Sequence, residues 1–163
     1  MGRIERMAQR MGANIRFLQA ARAAGLEPVI QDLATDTRTA YEAASVLGCQ
    51  LQQIVKSLVF VCGKEFLLVL TAGSNKVNQD KLSKIMGELT ERASPAQVRE
   101  ATGYAIGGVP PIGHTRELKC LFDPALLANE TVYGAAGTPS SVFSVLSSTL
   151  LDLTAGSIEQ FTE

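Results

Sequence analysis

Two apolar, β-branched segments joined by a tight turn narrow the possible folds of this chain more than any other part of its sequence. Residues 53–62 and 65–70 are rich in valine, leucine and isoleucine, and Gly63-Lys64 lies between them. A two-residue connection with glycine between apolar runs is typical of a β-hairpin. The sequence therefore predicts at least one pair of long antiparallel strands.

Capping and stop signals divide the rest of the chain into helices and shorter strands. Thr39, Ser94 and either Ser147 or Ser148 are the predicted N-caps. The predicted helices are 3–24, 39–48, 78–86, 94–103 and 147–154, and the further strands are 27–33, 117–122, 131–135 and 141–146. Strands outnumber what the helices could connect as simple crossovers. We therefore predict one α+β domain over 1–163, with residues 1–25 as an N-terminal helix and a mixed, largely antiparallel sheet.

Charge is distributed unevenly along these 163 residues. The first 25 residues hold five arginines and one glutamate, a charge of +4, so the remainder carries −5. The net charge of −1 argues against broad phosphate neutralisation, but it is compatible with recognition of a tRNA end. Two interpretations of the basic helix stay open. It is either an RNA-facing surface or a solvated face opposite a packing stripe of Ile4, Met7, Met11, Ile15 and Leu18.

The sequence lacks the residue patterns of most catalytic sites. Cys49, Cys62 and Cys120 have no C-x-x-C spacing, and His114 is the only histidine, so neither a disulfide framework nor a zinc site is expected. No phosphate-binding loop, dinucleotide fingerprint or nucleophile elbow occurs. No apolar run is long enough for a membrane span or a signal peptide. We expect a cytoplasmic protein that uses no metal and no cofactor.

Two features could carry chemistry, and each has a purely structural alternative. The loop GGVPPIGH could direct backbone N–H groups at a carbonyl, since glycines permit close approach and prolines stiffen the chain, or it could be a rigid connector. Lys56, inside QIVKSLVF, could face a pocket and bind phosphate or an acyl oxygen, or simply point outward into water. His114 could be a general base or an ordinary loop residue.

Four segments in order resemble the YbaK/ProX-type aminoacyl-tRNA deacylases, which are similar to the editing insertion of bacterial prolyl-tRNA synthetases. The segments are TAYEAASVLGCQLQQIVKSLVF, ATGYAIGGVPPIGH, ELKCLFD and VYGAAGTPSSVF, and the resemblance spans residues 27–156. It implies an α+β fold whose curved sheet, flanked by helices, surrounds a small pocket. It also implies a trans-editing hydrolase that cleaves the ester between a wrong amino acid and the 3′ end of a tRNA, often tRNA-Pro, with prolyl-tRNA synthetase as a further partner.

The resemblance also implies roles for particular residues. Lys56 matches the family's strand lysine and would contact the terminal phosphate or ribose. The backbone N–H groups of Gly107 and Gly108 would bind the ester carbonyl, and water or a nucleophile on the substrate would attack. The predicted catalytic residues are Lys56, Gly107 and Gly108, and the predicted substrate-binding residues are Pro110, Pro111, Gly113, His114, Ala136 and Gly137.

The sequence departs from the members specific for cysteinyl-tRNA-Pro at the late loop. Where those proteins carry residues similar to GGKRGLD, this chain reads AGTPSSV over 136–142, and Ala135 replaces a polar residue. The substrate amino acid is therefore left open. Two other functions stay open as well: a non-catalytic module that binds tRNA or regulates another protein, and an esterase acting on free aminoacyl compounds.

Overall fold

The strands form two sheets that meet at a narrow seam. The computed structural model describes residues 2–34, 37 and 39–163. The strands are β1 (Gln31–Asp32), β2 (Val55–Cys62), β3 (Glu65–Ala72), β4 (Thr90–Arg92), β5 (Lys119–Phe122), β6 (Thr131–Ala135), β7 (Ser141–Leu146) and β8 (Ser157–Ile158). One sheet has the order β4-β2-β3-β5-β8 and the other β1-β7-β6. An isolated parallel bridge between Ile54 and Tyr133 joins the two sheets, and the region around this bridge is the seam.

The helices flank these sheets, and the predicted α+β class is confirmed. They are α1 (Arg3–Ala23), α2 (Ala40–Leu47), α3 (Gln79–Met86), α4 (Pro95–Thr102) and α5 (Ser147–Thr154). The pairs β2–β3, β2–β4, β1–β7 and β6–β7 are antiparallel, whereas β3–β5 and β5–β8 are parallel. The arrangement is therefore mixed and largely antiparallel, as predicted.

The predicted hairpin of β2 and β3 is confirmed and is buried on both faces. Val55 and Val59 pack in the larger core with α1, while Phe60 packs in a second core that includes Phe161 near the C-terminus. Burial on both faces explains why the two strands are almost continuously apolar. Within β2, Lys56 and Ser57 are the polar exceptions, and strand alternation places their side chains on opposite faces.

Most predicted helix caps are confirmed, and one is wrong. Thr39 and Ser94 accept hydrogen bonds from the backbone N–H of Glu42 and Gln97, at 3.1 and 3.2 Å. At α5 the N-cap is Leu146 instead of Ser147 or Ser148. The Ser147 hydroxyl donates to the carbonyl of Asn129 at 2.5 Å, so a long-range contact takes the group that would have capped its own helix.

Short edge strands account for the main differences from prediction. The strand predicted over 27–33 is reduced to β1, which pairs only through Gln31 and Asp32 with β7. The strands β4 and β8 were not predicted, because three- and two-residue edge strands leave no periodic signal in a sequence. Their positions depend on neighbouring strands instead.

Helix α1 packs through a different face from the predicted stripe. Ala13, Phe17 and Ala21 are its buried residues, and the Phe17 ring lies 4.6 Å from the Phe143 ring. Ile4 and Met11 of the predicted stripe are 82% and 62% exposed. The two alanines let the helix backbone approach closely, so one phenylalanine supplies the contact, with burial contributing about 2–3 kcal/mol. No helix in the described residues combines the length and apolar character of a membrane span.

Candidate active site

A cavity of about 320 Å³ opens at the seam between the two sheets. It lies between β2, the end of β4 and β6, and it is lined mainly by apolar side chains. Its volume is near the lower end for small-molecule sites. The principal apolar residues are Ile54, Val55, Val59, Val98 and Val109. This composition fits a small, largely apolar group with a few polar contacts.

The edge of β2 contributes backbone groups to this cavity. The carbonyl of Val59 accepts a hydrogen bond from the N–H of Ala93 at 3.0 Å, on the side of β2 away from β3. Backbone groups two residues apart on a strand face the same side, so Ser57 directs its N–H and C=O that way too. β4 pairs only with residues 60–62 of β2 and does not cover Ser57. The backbone N–H and C=O of Ser57 therefore face the cavity. Its hydroxyl oxygen is buried and has no hydrogen-bond partner among the described residues.

Lys56 lines the cavity and is held by its polar neighbours. Its Nζ donates to the carbonyl of Asn75 at 2.6 Å, and the Asn75 amide donates to a carboxylate oxygen of Asp123 at 2.9 Å. Burial lowers the pKa of Lys56, the charge of Arg92 lowers it further, and Asp123 acts in the opposite direction. Lys56 is therefore a partly desolvated cation, and its hydrogen bond to Asn75 holds the ammonium group in position.

Asp123 anchors this network from inside the protein. It is 2% exposed and accepts hydrogen bonds from the Thr71 hydroxyl at 3.0 Å and from the backbone N–H groups of Ala72 and Ala125 at 3.1 and 2.9 Å. These donors satisfy the hydrogen-bonding capacity of a carboxyl group that is buried away from water. It fixes the end of β3 and, through Asn75, the position of the lysine.

Arg92 is a site residue that the sequence reasoning missed. It lines the cavity from the end of β4, and its guanidinium lies 5.6 Å from the centroid of the Phe60 ring. No carboxylate in the described part of the chain forms an ion pair with it. The cavity therefore has two cations beside it. No sequence signal could have singled out this arginine, because its strand was not predictable either.

Gly107 and Gly108, the two glycines predicted to bind the ester carbonyl, differ in whether their backbone N–H groups are free to donate. Gly107 lines the cavity, and its N–H donates to no acceptor among the described residues. The N–H of Gly108 donates to the carbonyl of Ala105 at 3.0 Å, so the hydrogen bond assigned to it with the ester is not available in this conformation. Gly108 has another role: a Cβ there would lie 2.8 Å from the Cα of Thr138. The absence of a side chain lets two loops touch.

The predicted substrate-binding residues do not line this cavity. Of the nine predicted site residues, only Lys56 and Gly107 line the cavity. Three of the remaining residues shape the loop 107–114: Pro110 and Pro111 are buried, and Gly113 lies against Ala20 of α1. Ala136 is fully buried, with its N–H donating to the carbonyl of Ser141 at 2.9 Å. These residues support the site without facing its interior.

His114 forms a hydrogen bond within its own loop, residues 107–114. Its Nε2 lies 2.7 Å from the carbonyl of Pro110, a contact that the neutral ring makes by donating from Nε2. Burial lowers the pKa of His114, and the bond to Pro110 opposes this shift. In this tautomer Nε2 carries the proton and cannot itself act as a base, and His114 does not line the cavity.

We expect the protein to lose stability as the pH falls below about 6.5, the pKa of an unfolded histidine. The folded-state pKa is lower than the unfolded one, so the unfolded chain binds the proton first. Stability then falls by up to about 1.4 kcal/mol per pH unit until the folded-state pKa is reached. Chemical denaturation at several pH values between 5 and 7 measures the free energy of unfolding. A His114→Gln variant should have a flatter profile, and an equal slope in both proteins would contradict this origin.

Metal ligands are not clustered in the described residues. No group of three histidine, cysteine, aspartate or glutamate side chains there is placed to hold an ion. Cys49, Cys62 and Cys120 are free thiols, and burial raises the pKa of Cys120 to about 12. The lining of the cavity combines two cations, backbone groups and mainly apolar side chains.

This cavity lies where the two sheets of the α+β fold meet. The chain belongs to the aminoacyl-tRNA editing domain family, whose model matches residues 34–153. The resemblance stated from the sequence is thereby confirmed. Helix α1 and strand β1 lie outside the matched segment.

Relatives with solved structures and curated sequences agree with this assignment. A crystal structure of a proposed trans-editing enzyme for prolyl tRNA synthetase is 39% identical, with a TM-score of 0.89 over 93% of this chain and 97% of that chain. The uncharacterized protein YwhH of Bacillus subtilis (strain 168) is 33% identical over 113 residues, 69% of this chain and 72% of YwhH.

A proline–tRNA ligase of Desulforamulus reducens is 34% identical over 108 residues, which are 62% of this chain and 19% of the ligase. The match therefore spans about a fifth of that relative's length. It concerns one segment of a much larger protein.

Proposed function

We propose that this protein is a trans-editing aminoacyl-tRNA deacylase, which hydrolyses the ester of a mischarged tRNA, with tRNA-Pro as the first candidate. The observation that carries the proposal is the placement of the Lys56 cation and the Gly107 N–H on one small apolar cavity. Membership of the editing-domain family supports the reaction type. Charged tRNA is used in the cytoplasm, so we place the protein there.

Ester hydrolysis at this site needs orientation more than a strong base. An aminoacyl ester is already activated, so bringing a nucleophile to its carbonyl in the right geometry supplies much of the rate. The oxygen of water bonds to the carbonyl carbon, and the carbonyl oxygen becomes an oxyanion. The N–H groups of Gly107 and Ser57 are the donors for that oxyanion. The C–O bond to the ribose then breaks, the 3′ oxygen takes the proton that the attacking water has lost, and a free amino acid leaves.

The substrate itself helps the attack in this proposal. The cavity walls are mainly apolar, and His114 is turned toward Pro110. The assisting group is therefore on the substrate. The ribose hydroxyl next to the ester orients the attacking water, or a nucleophilic side chain of the amino acid attacks in place of water and leaves as a cyclic product. Such a reaction needs no catalytic triad from the protein.

Lys56 and Arg92 would bind the terminal phosphate of the tRNA. Both line the cavity, and their charges are close enough for Arg92 to lower the pKa of Lys56. A phosphate placed between them would relieve that repulsion and offer oxygen acceptors to both. The body of the chain is acidic apart from α1, so this pair would concentrate attraction at the 3′ end of the tRNA.

A panel of mischarged tRNAs tests the function. We expect release of at least one small amino acid from tRNA-Pro charged in turn with alanine, serine, threonine, cysteine and valine, with prolyl-tRNA-Pro hydrolysed far more slowly. Release of labelled amino acid is the measurement, and spontaneous hydrolysis in buffer is the control. If mischarged tRNA is bound in a gel shift but no amino acid is released from any member, the protein is a binding module and the proposal is wrong.

A further inference from the structure

Helix α1 donates a pair of hydrogen bonds to the loop that forms one wall of the cavity. The amide nitrogen of Asn14 donates to the carbonyl of Ala136 at 2.7 Å and to the hydroxyl of Ser141 at 2.9 Å. These acceptors flank the loop 136–141, which contributes Pro139 and Ser141 to the cavity lining. Both hydrogens of one amide nitrogen are thus used to close the loop at its two ends.

The polar contact continues inside the loop. The hydroxyl groups of Ser141 and Thr138 lie 2.6 Å apart, and both residues are almost completely buried. A buried network of this kind is rigid only while every member is satisfied. Loss of the Asn14 amide would leave the carbonyl of Ala136, in a residue that is itself fully buried, without this donor.

Packing holds the same loop from both sides. Gly137 has φ of +104°, and a Cβ there would lie 2.8 Å from the carbonyl oxygen of Ala13 in α1. Gly108 of the neighbouring loop also packs against Thr138, where an added Cβ would lie 2.8 Å from the Cα atom. The loop 136–141 is therefore clamped between α1 and the loop that carries Gly107. Its position decides how much room the cavity has on this side.

We propose that Asn14 is a positioning residue that holds the loop 136–141 and thereby sets which acyl groups the cavity accepts. The inference rests on the proposed deacylase function for its effect on substrate choice. Asn14 lies outside the segment matched by the family model, so the specificity of this protein depends on a residue of its N-terminal helix. Asn14 acts through Pro139 and Ser141 and does not itself line the cavity.

The first test does not depend on activity. In an Asn14→Ala variant of the full chain, we expect amide hydrogen exchange to accelerate in peptides that cover 136–141, with little change in the β2–β3 hairpin. The matched control is Gln19→Ala, an exposed side chain on the same helix. Unchanged exchange in 136–141, or equal acceleration across the whole protein, would overturn the positioning role.

The second test measures substrate choice. We expect Asn14→Ala to reduce the ratio of kcat/KM between the best acyl group and the next larger one by about tenfold, the effect of losing interactions worth roughly one hydrogen bond or two. Asn14→Asp, which has nearly the same shape but cannot donate, should behave like Asn14→Ala. A uniform fall in kcat for all acyl groups, or rescue by aspartate, would contradict the inference. If no tRNA is hydrolysed by the wild type, the proposed function fails, while hydrogen exchange still decides whether Asn14 holds the loop.

Discussion

Replacing Lys56 with methionine should lower kcat/KM for the best mischarged tRNA by about 100-fold, the loss expected when a charge-assisted contact and the orientation it provides disappear together. The protein should still fold, with an unfolding free energy within about 1 kcal/mol of the wild type. The reason is that burial lowers the pKa of Lys56, so the folded state gains little from this charge. Single-turnover deacylation and urea denaturation measure the two effects.

Two further variants make this result specific. Lys64 is exposed at the turn of the same hairpin, so Lys64→Met should keep full activity. Arg92→Ala should mainly raise KM, because it removes the proposed phosphate contact and leaves Lys56 bound to Asn75. Full activity in Lys56→Met, or an equal loss in Lys64→Met, would remove Lys56 from the site.

Replacing Gly108 with alanine should both destabilise the protein and impair the site. The added Cβ would lie 2.8 Å from the Cα of Thr138 and 3.0 Å from the carbonyl oxygen of Gly137, and both contacts are with backbone that cannot rotate away. We expect a loss of about 2 kcal/mol in unfolding free energy, as for other overpacked positions. We also expect about a tenfold loss in kcat/KM, because the two loops that hold Gly107 and Ser141 must separate.

The matched control for this variant is Gly12→Ala. Gly12 lies inside α1, where an added Cβ would meet no atom within 4 Å, and alanine is favoured over glycine in a helix by about 0.5–1 kcal/mol. Its stability should therefore rise slightly and its activity should stay unchanged. Gly108→Ala with wild-type stability and activity would show that the loops do not need to touch.

The sequence allowed prediction of the elements whose signals are local. The hairpin turn at Gly63 and the N-caps at Thr39 and Ser94 depend on neighbouring residues, and all three are confirmed. Lys56 and Gly107 were also correctly expected to lie close to one pocket, although their catalytic roles are still predictions.

Features that depend on distant partners could not be predicted in the same way. Asn14 meets Ser141 across 127 positions of sequence, and the packing face of α1 was set by Phe143 rather than by its own apolar stripe. The packing contact of Gly108 was missed for the same reason: a glycine that binds an oxyanion and one that admits a neighbouring backbone look alike in a sequence. Arg92 entered the site only because a three-residue edge strand stops beside the cavity.

The isolated bridge between Ile54 and Tyr133 has a consequence for how such a domain can diverge. Each sheet has its own hydrogen-bond ladder, so away from the bridge between Ile54 and Tyr133 the width of the gap between the sheets is not fixed by strand pairing. Substitutions of the side chains that fill the gap can therefore enlarge or reduce the binding space without breaking a ladder. A fold built in this way can change the size of its cavity at small cost in stability, because the side chains that fill the gap are separate from the hydrogen bonds that hold each sheet together.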